Sequence, residues 1–218
     1  MASVPSTTTV PPSTDPADVL AIAARLAGSA RAFARAPLLR KVAALAEVRA
    51  RLHRDGEALA WLGCEAKGLA PQGAPFGEEL LAGSVIIQRY VRLLGEALTG
   101  IRERGAPFIP DERVERLSSG EVSVEVVPNS PSDRALFLPY SIHVRLAPEV
   151  DTGELRSAQA SFYQRREPEG AVAAVLGGGN VASIPALDLL HQCFVEGRAC
   201  LLKMSPVNAY LGPLFERI

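Results

Sequence analysis

Two short apolar runs on either side of an amphipathic stretch constrain this chain more than any other feature. Residues 171–176 (AVAAVL) form a continuous apolar run, the pattern of a strand buried on both faces, and residues 199–203 (ACLLK) form a second apolar strand. Between them Gly177, Gly178, Gly179 and Asn180 make a loop. Ser183 can cap a helix with Pro185 in its first turn, Leu187, Leu190 and Phe194 give that helix an inner face, and Gly197 ends it. Strand, helix and strand in such a short span predict a βαβ unit with a right-handed crossover.

Upstream, the apolar period is that of helices. Asp15 and Pro16 signal a helix start. Val19, Ile22, Ala23, Leu26, Ala30 and Phe33 then recur every three or four residues. A second helix starts near Pro37, with Leu38, Val42, Leu45 and Leu52 on one face. Its basic residues, among them Arg35, Arg40, Lys41, Arg49 and Arg51, read as a solvated face. A third helix is expected over 56–66, stopping near Gly68 and Pro71. A fourth carries Leu80, Ser84, Ile87, Val91, Leu94 and Leu98 on one stripe. Residues 1–16 are Ser/Thr/Pro-rich with almost nothing to bury, and are expected to be a disordered tail.

From about residue 120 the period falls to two. Val122, Val124 and Val126 alternate as in a half-buried strand, and residues 128–131 read as a turn. A second extended run, 134–146, is broken by Pro139 as an edge strand or a bulge would be, and residues 151–153 give another turn. The fold class expected is α/β: a helical region over 17–120, a β-hairpin arm over 121–166, and from 167 to 218 a region opening on the βαβ unit.

Charge narrows the function classes. With 23 basic and 24 acidic residues the net charge is −1, so no basic excess points to nucleic acid, and no cationic amphipathic helix points to a membrane surface. No secretory signal and no apolar stretch of membrane-spanning length stands out. Cys64, Cys193 and Cys200 lack metal-ligand spacing and read as small buried hydrophobes, which fits a reducing cytoplasm; no metal site is expected.

In an open parallel sheet, ligands bind beyond the carboxyl ends of the strands. Here one strand ends in three glycines and Asn180, and the next ends in Lys203. Glycines let the backbone approach a ligand, a following helix N-terminus favours an anion, and a lysine there can reach ribose hydroxyls or a phosphate. A tight glycine turn and a surface lysine are the plain alternative, and the G-x-G-x-x-G spacing is absent.

Residues 167–206, EPEGAVAAVLGGGNVASIPALDLLHQCFVEGRACLLKMSP, resemble the opening of the dinucleotide-binding domain of aldehyde dehydrogenases. There an E-P-x-G-V-V-x-x-I run leads to a Pro-Trp-Asn loop, a helix with a glycine-containing end, and a strand reading V-x-L-K-P-[AS]-E. Residues 58–68, ALAWLGCEAKG, are similar to the family's helix ending in an acidic residue and Gly-Lys, and the strands of 121–165 fall where its oligomerisation strands lie. The resemblance implies that residues 167–218 are the start of a Rossmann-like dinucleotide-binding domain, in an NAD(P)-dependent oxidoreductase that takes an aldehyde to a carboxylate or an acyl derivative and forms a homo-oligomer at full length. It implies that Asn180 stabilises the thiohemiacetal oxyanion and that Lys203 holds the adenosine ribose. Gly178, Gly179 and Ser205 complete the implied NAD or NADP site.

Departures accompany it. The family's Pro-Trp is Gly178 and Gly179, and the glutamate three residues after the lysine is Pro206, leaving NAD against NADP open and suggesting a divergent, acyl-CoA-reductase-like branch. None of the three cysteines falls at the nucleophile's position, and His53, His143 and His191 form no recognisable triad. The nucleophile and the glutamate base are expected downstream, and this chain is expected to be a piece of a longer protein. The competing expectation is a non-catalytic remnant acting through the 121–165 strands as an oligomerisation or partner-binding module.

Overall fold

The computed structural model describes residues 14–218, so most of the expected tail lies outside the described residues. The chain is mixed α/β with helices predominating. It divides into two compact units: Gly100–Ser161 forms one, and the residues up to Thr99 together with Phe162–Ile218 form the other.

The larger unit opens with α1, Pro16–Ala34. The Asp15 carboxylate accepts from the Ala17 N–H at 2.7 Å, and Pro16 occupies the first turn, as expected. The stripe ends on buried Ala30 and Ala34.

Helix α2 spans Leu38–Ala66 without the expected break between two helices. Gly56, which looks like a breaker, is buried: a Cβ there would stand 3.2 Å from the Ser84 Cβ. A mid-helix glycine costs about 1 kcal/mol relative to alanine, and here it admits a close helix contact that the buried side chains of Leu52, Leu59 and Ala60 extend. The helix ends as expected beside Gly68, with Leu69 N–H donating to the Cys64 carbonyl and Gly68 N–H to that of Glu65.

The expected fourth helix comprises α3 (Gly73–Leu80), a five-residue π-helical segment (Leu81–Val85) and α4 (Ile86–Arg104). Its stripe is where the period puts it, with Ser84, Ile87, Val91, Leu94 and Leu98 buried. The widened π turn presents Gly83 and Ser84 to α2, and a Cβ on Gly83 would lie 3.2 Å from the Leu59 side chain.

The solvated basic face of α2 needs one correction. Arg40 and Arg49 are exposed, but Lys41 is only 4% exposed. Its ammonium lies 5.5 Å from the Phe33 ring centroid and 4.9 Å from those of Phe162 and Tyr163, and donates to the Ala34 carbonyl at 3.3 Å. Ring faces and a carbonyl replace part of its lost hydration. Burial still pushes its pKa below the usual lysine value, against a raising influence from Cys193.

The βαβ unit forms as expected. Strands β4 (Val172–Leu176) and β5 (Ala199–Lys203) pair in parallel, joined by α7 (Ile184–Phe194), and α1 and α7 both pack on the sheet. Burial of β4 on both faces is overturned. Leu176 is 75% exposed, because this sheet has two strands and nothing among the described residues pairs with the other edge of β4. Gly197 closes the helix at φ +66°, where the Phe162 ring occupies the space a side chain would need. A 3-10 turn, Pro206–Leu211, and α8, Gly212–Arg217, follow β5.

The smaller unit departs most from expectation. Its antiparallel sheet has three strands, β1 (Val114–Arg116), β2 (Val122–Val127) and β3 (Ile142–Arg145), with β1 inside the region read as helical. A register shift between Glu125 and Val127 breaks the alternation, so Val127 is buried in place of Val126. Residues 134–137, read as extended, belong to a helix, α5 (Pro131–Phe137). The Ser130 hydroxyl accepts from Asp133 N–H, and buried Asp133 accepts from Asn129 N–H at 2.9 Å; these bonds turn the supposed loop into a helix start. Asp151 likewise opens α6 (Thr152–Ser157) through a reciprocal capping box with Glu154.

Candidate functional site at the strand ends

The residues singled out at the end of the βαβ unit meet. Leu176 and Lys203 are register partners, and the Gly177 N–H donates to the Lys203 carbonyl at 2.9 Å. The glycine loop therefore starts as a continuation of the strand pairing. Gly179 then passes so close to Ser205 that a Cβ there would stand 2.8 Å from the Ser205 Oγ. A larger residue there would make the Ser205 hydroxyl turn aside.

Asn208 holds the loop, and nothing in the sequence pattern singles it out. It is buried in the 3-10 turn after β5, and its amide donates to the carbonyls of Gly178 and Gly179 at 3.1 and 3.2 Å. Pro206 starts that turn, and the Asn208 N–H donates to the Ser205 carbonyl at 3.0 Å. The nearest signal is Ser205-Pro206, a pairing that favours turn initiation and so brings a residue shortly after it back toward the strand end. Pro206 thus shapes the backbone at the position where the resembling family has a glutamate.

Asn180 and Lys203 are exposed at this end, while Gly178, Gly179 and Ser205 are half-buried. The Asn180 side-chain oxygen folds toward Gly178, 3.3 Å from where a Cβ would sit. Lys203 enters no ion pair among the described residues. The loop leads into α7, whose cap residue Ser183 makes no side-chain capping bond. A tethered loop, an exposed amide, a cation and a helix N-terminus together offer donors and positive potential to an anionic ligand.

Other groups lie elsewhere. Cys64 is fully buried, as read from sequence, whereas Cys193 and Cys200 are half-buried and their sulfurs lie 3.6 Å apart. His191 is exposed on α7 with its Nδ1 3.2 Å from the Tyr90 hydroxyl, and His143 is in the edge strand β3 as expected. An apolar cavity of about 330 Å³ lies among α2, α7, β5 and α8, lined by Leu52, Leu190, Cys200, Leu202 and Phe215 among others. No group of three or more His, Cys, Asp or Glu among the described residues could hold a metal, and no helix among them is long and apolar enough to cross a membrane.

Comparison with known proteins adds no relative: no family model matches the chain, and no curated protein and no solved structure gives a significant match.

Proposed function

We propose that this chain is the N-terminal portion of an NAD(P)-dependent aldehyde dehydrogenase-like oxidoreductase, and that its βαβ unit begins a Rossmann-like dinucleotide-binding domain. The observation that carries the reading is the convergence of Gly178, Gly179, Asn180, Lys203 and Ser205 at the carboxyl ends of two parallel strands, the place where open α/β sheets bind ligands. The motif resemblance in residues 167–206 names the ligand. The free edge of β4, apolar yet exposed, suits further parallel strands from another segment.

The residues present fit a dinucleotide. A glycine backbone held by Asn208 leaves room beside an exposed lysine, and no carboxylate at Pro206 repels a 2′-phosphate, so NAD and NADP both suit it. The nicotinamide supplies the hydride acceptor when bound. Lys203 would donate to ribose hydroxyls. Asn180 would donate its amide to the oxyanion that forms when a thiolate, from a cysteine outside these 218 residues, adds to the aldehyde.

Kinetics test this in a polypeptide extended through that nucleophile. Asn180→Ala should lower kcat by roughly a hundred- to a thousand-fold, the usual cost of one oxyanion donor. Lys203→Ala should chiefly raise the KM for cofactor. An unchanged kcat for Asn180→Ala, with chemistry rate-limiting, would remove the assignment. The 218-residue chain alone should turn over no aldehyde.

One observation favours the second reading, an oligomerisation module. All four residues of β3 are exposed, among them Ile142 and Val144, at a sheet edge that no strand among the described residues pairs with. Sedimentation of the 218-residue chain tests this second reading: self-association abolished by Val144→Lys supports the module, and a monomer at all concentrations counts against it.

A further inference from the structure

We propose that Cys193 and Cys200 form a reversible dithiol–disulfide site that is oxidised by hydrogen peroxide. Cys193 is the penultimate residue of α7 and Cys200 the second residue of β5. The turn at Gly197 folds the strand back so that the two Sγ atoms lie 3.6 Å apart, in van der Waals contact. A disulfide needs a separation of about 2.05 Å, so each sulfur has to move only about 0.8 Å. The third cysteine has no such setting: Cys64 is fully buried in α2, and burial pushes its pKa up.

The two thiols are not equivalent. The Cys193 thiol donates toward the Cys200 sulfur, which holds Cys200 below the ordinary thiol range, with the Arg198 guanidinium acting in the same direction against burial. That hydrogen bond, burial and the neighbouring Cys200 charge push Cys193 up, and Lys41 offsets part of this. Cys200 lines the apolar cavity of about 330 Å³, which admits a small neutral oxidant, and Cys193 does not. Access and the direction of the two shifts together make Cys200 the nucleophile and Cys193 the resolving thiol.

The chemistry balances with peroxide as the only co-reactant. The Cys200 thiolate attacks one peroxide oxygen, the O–O bond breaks, and hydroxide leaves as the sulfenic acid forms. Cys193 then attacks the Cys200 sulfur and the S–O bond breaks. The Cys193 thiol proton and the proton that Cys200 released on ionising convert both departing hydroxides to water. Two thiols are oxidised and one peroxide is reduced to two waters. A dithiol such as dithiothreitol reverses the result by exchange.

Trypsin provides the assay, because Arg198 lies between the two cysteines. The 218-residue chain is treated with hydrogen peroxide, alkylated in denaturant and digested. Peptides 167–198 and 199–203 should appear joined, two hydrogens lighter than their sum, and separate after dithiothreitol. Free thiols should fall from the three in the sequence to the single one of Cys64. In Cys193→Ser, dimedone should label Cys200 under the same treatment. Both cysteines recovered fully alkylated after peroxide, or disulfides found only between chains, overturns the proposal. Dimedone labelling of Cys193 in Cys200→Ser as fast as of Cys200 in Cys193→Ser would overturn the assigned roles. Wild-type mapping decides the main point even if a variant fails to fold.

Discussion

Replacing Asn208 probes whether the glycine loop is held by one buried amide. Asn208→Ala removes two neutral hydrogen bonds, to the carbonyls of Gly178 and Gly179. At about 1 kcal/mol each the loss is ~2 kcal/mol. The loop glycines are half-buried, so water can reach the freed carbonyls and the desolvation penalty stays small. Asn208→Asp keeps the volume but should cost more than alanine. An ionised carboxylate cannot donate, faces two carbonyl oxygens, and is nearly enclosed at a site 4% exposed. The new carboxyl should titrate above its unfolded value in the folded state. The excess cost should then shrink as pH falls through that raised value, because the protonated form can donate again. Trp61 is the sole tryptophan and lies in α2 of the same unit, so its fluorescence during urea unfolding reports the relevant transition. Midpoints should fall in the order wild type, Ala, Asp with an unchanged slope. Equal stability of Asp and Ala variants at neutral pH, or an Ala variant matching wild type, would refute the tether.

Gly56→Val should destabilise by about 1–3 kcal/mol, since the added methyls meet Ser84 and the Gln88 side chain where a Cβ alone already lies within 3.3 Å; an unshifted thermal midpoint would contradict the close α2 contact. Burial raises the pKa of the Tyr90, Tyr163 and Tyr210 hydroxyls. The unfolded chain then deprotonates first, and their stabilising contribution, complete below about pH 10, is lost as pH climbs further. Tyr163, whose hydroxyl donates to the Phe194 carbonyl, should account for part of that slope, so Tyr163→Phe should show a shallower alkaline decline in urea titrations; an identical decline would contradict its buried setting.

Sequence was most informative where punctuation and period agreed. The β4–α7–β5 unit was legible because Gly177 ends the first apolar run, Gly197 comes shortly before the second and Pro185 marks the helix start. The stripe from Ser84 to Leu98 was legible because a helical period runs on through α4 from the π segment that holds Ser84. Gly56 misled because a glycine that breaks a helix and one that admits a neighbour look alike without the neighbour. Lys41 misled for a related reason: its cage comes partly from Phe162 and Tyr163, more than a hundred residues away in the chain. In the smaller unit, Ser130-Pro131-x-Asp133 carries a helix-start signal that the surrounding prolines disguised as a turn, and the three-residue β1 is too short to show a period. At the candidate site, the loop glycines, Asn180 and Lys203 were legible from strand-end position, while Asn208 was not. Its role depends on how a turn folds back across β4 and β5.

Amide chemical shifts during titration with NAD and NADP test the central claim most directly, since they locate a weak site residue by residue. In the 218-residue chain, low-millimolar dinucleotide should shift Gly177, Gly178, Gly179, Asn180, Lys203 and Ser205 in a saturable way, and Lys203→Ala should weaken the response. Shifts confined to other surfaces, or none at those six residues at saturating cofactor, would contradict a dinucleotide site at the ends of β4 and β5.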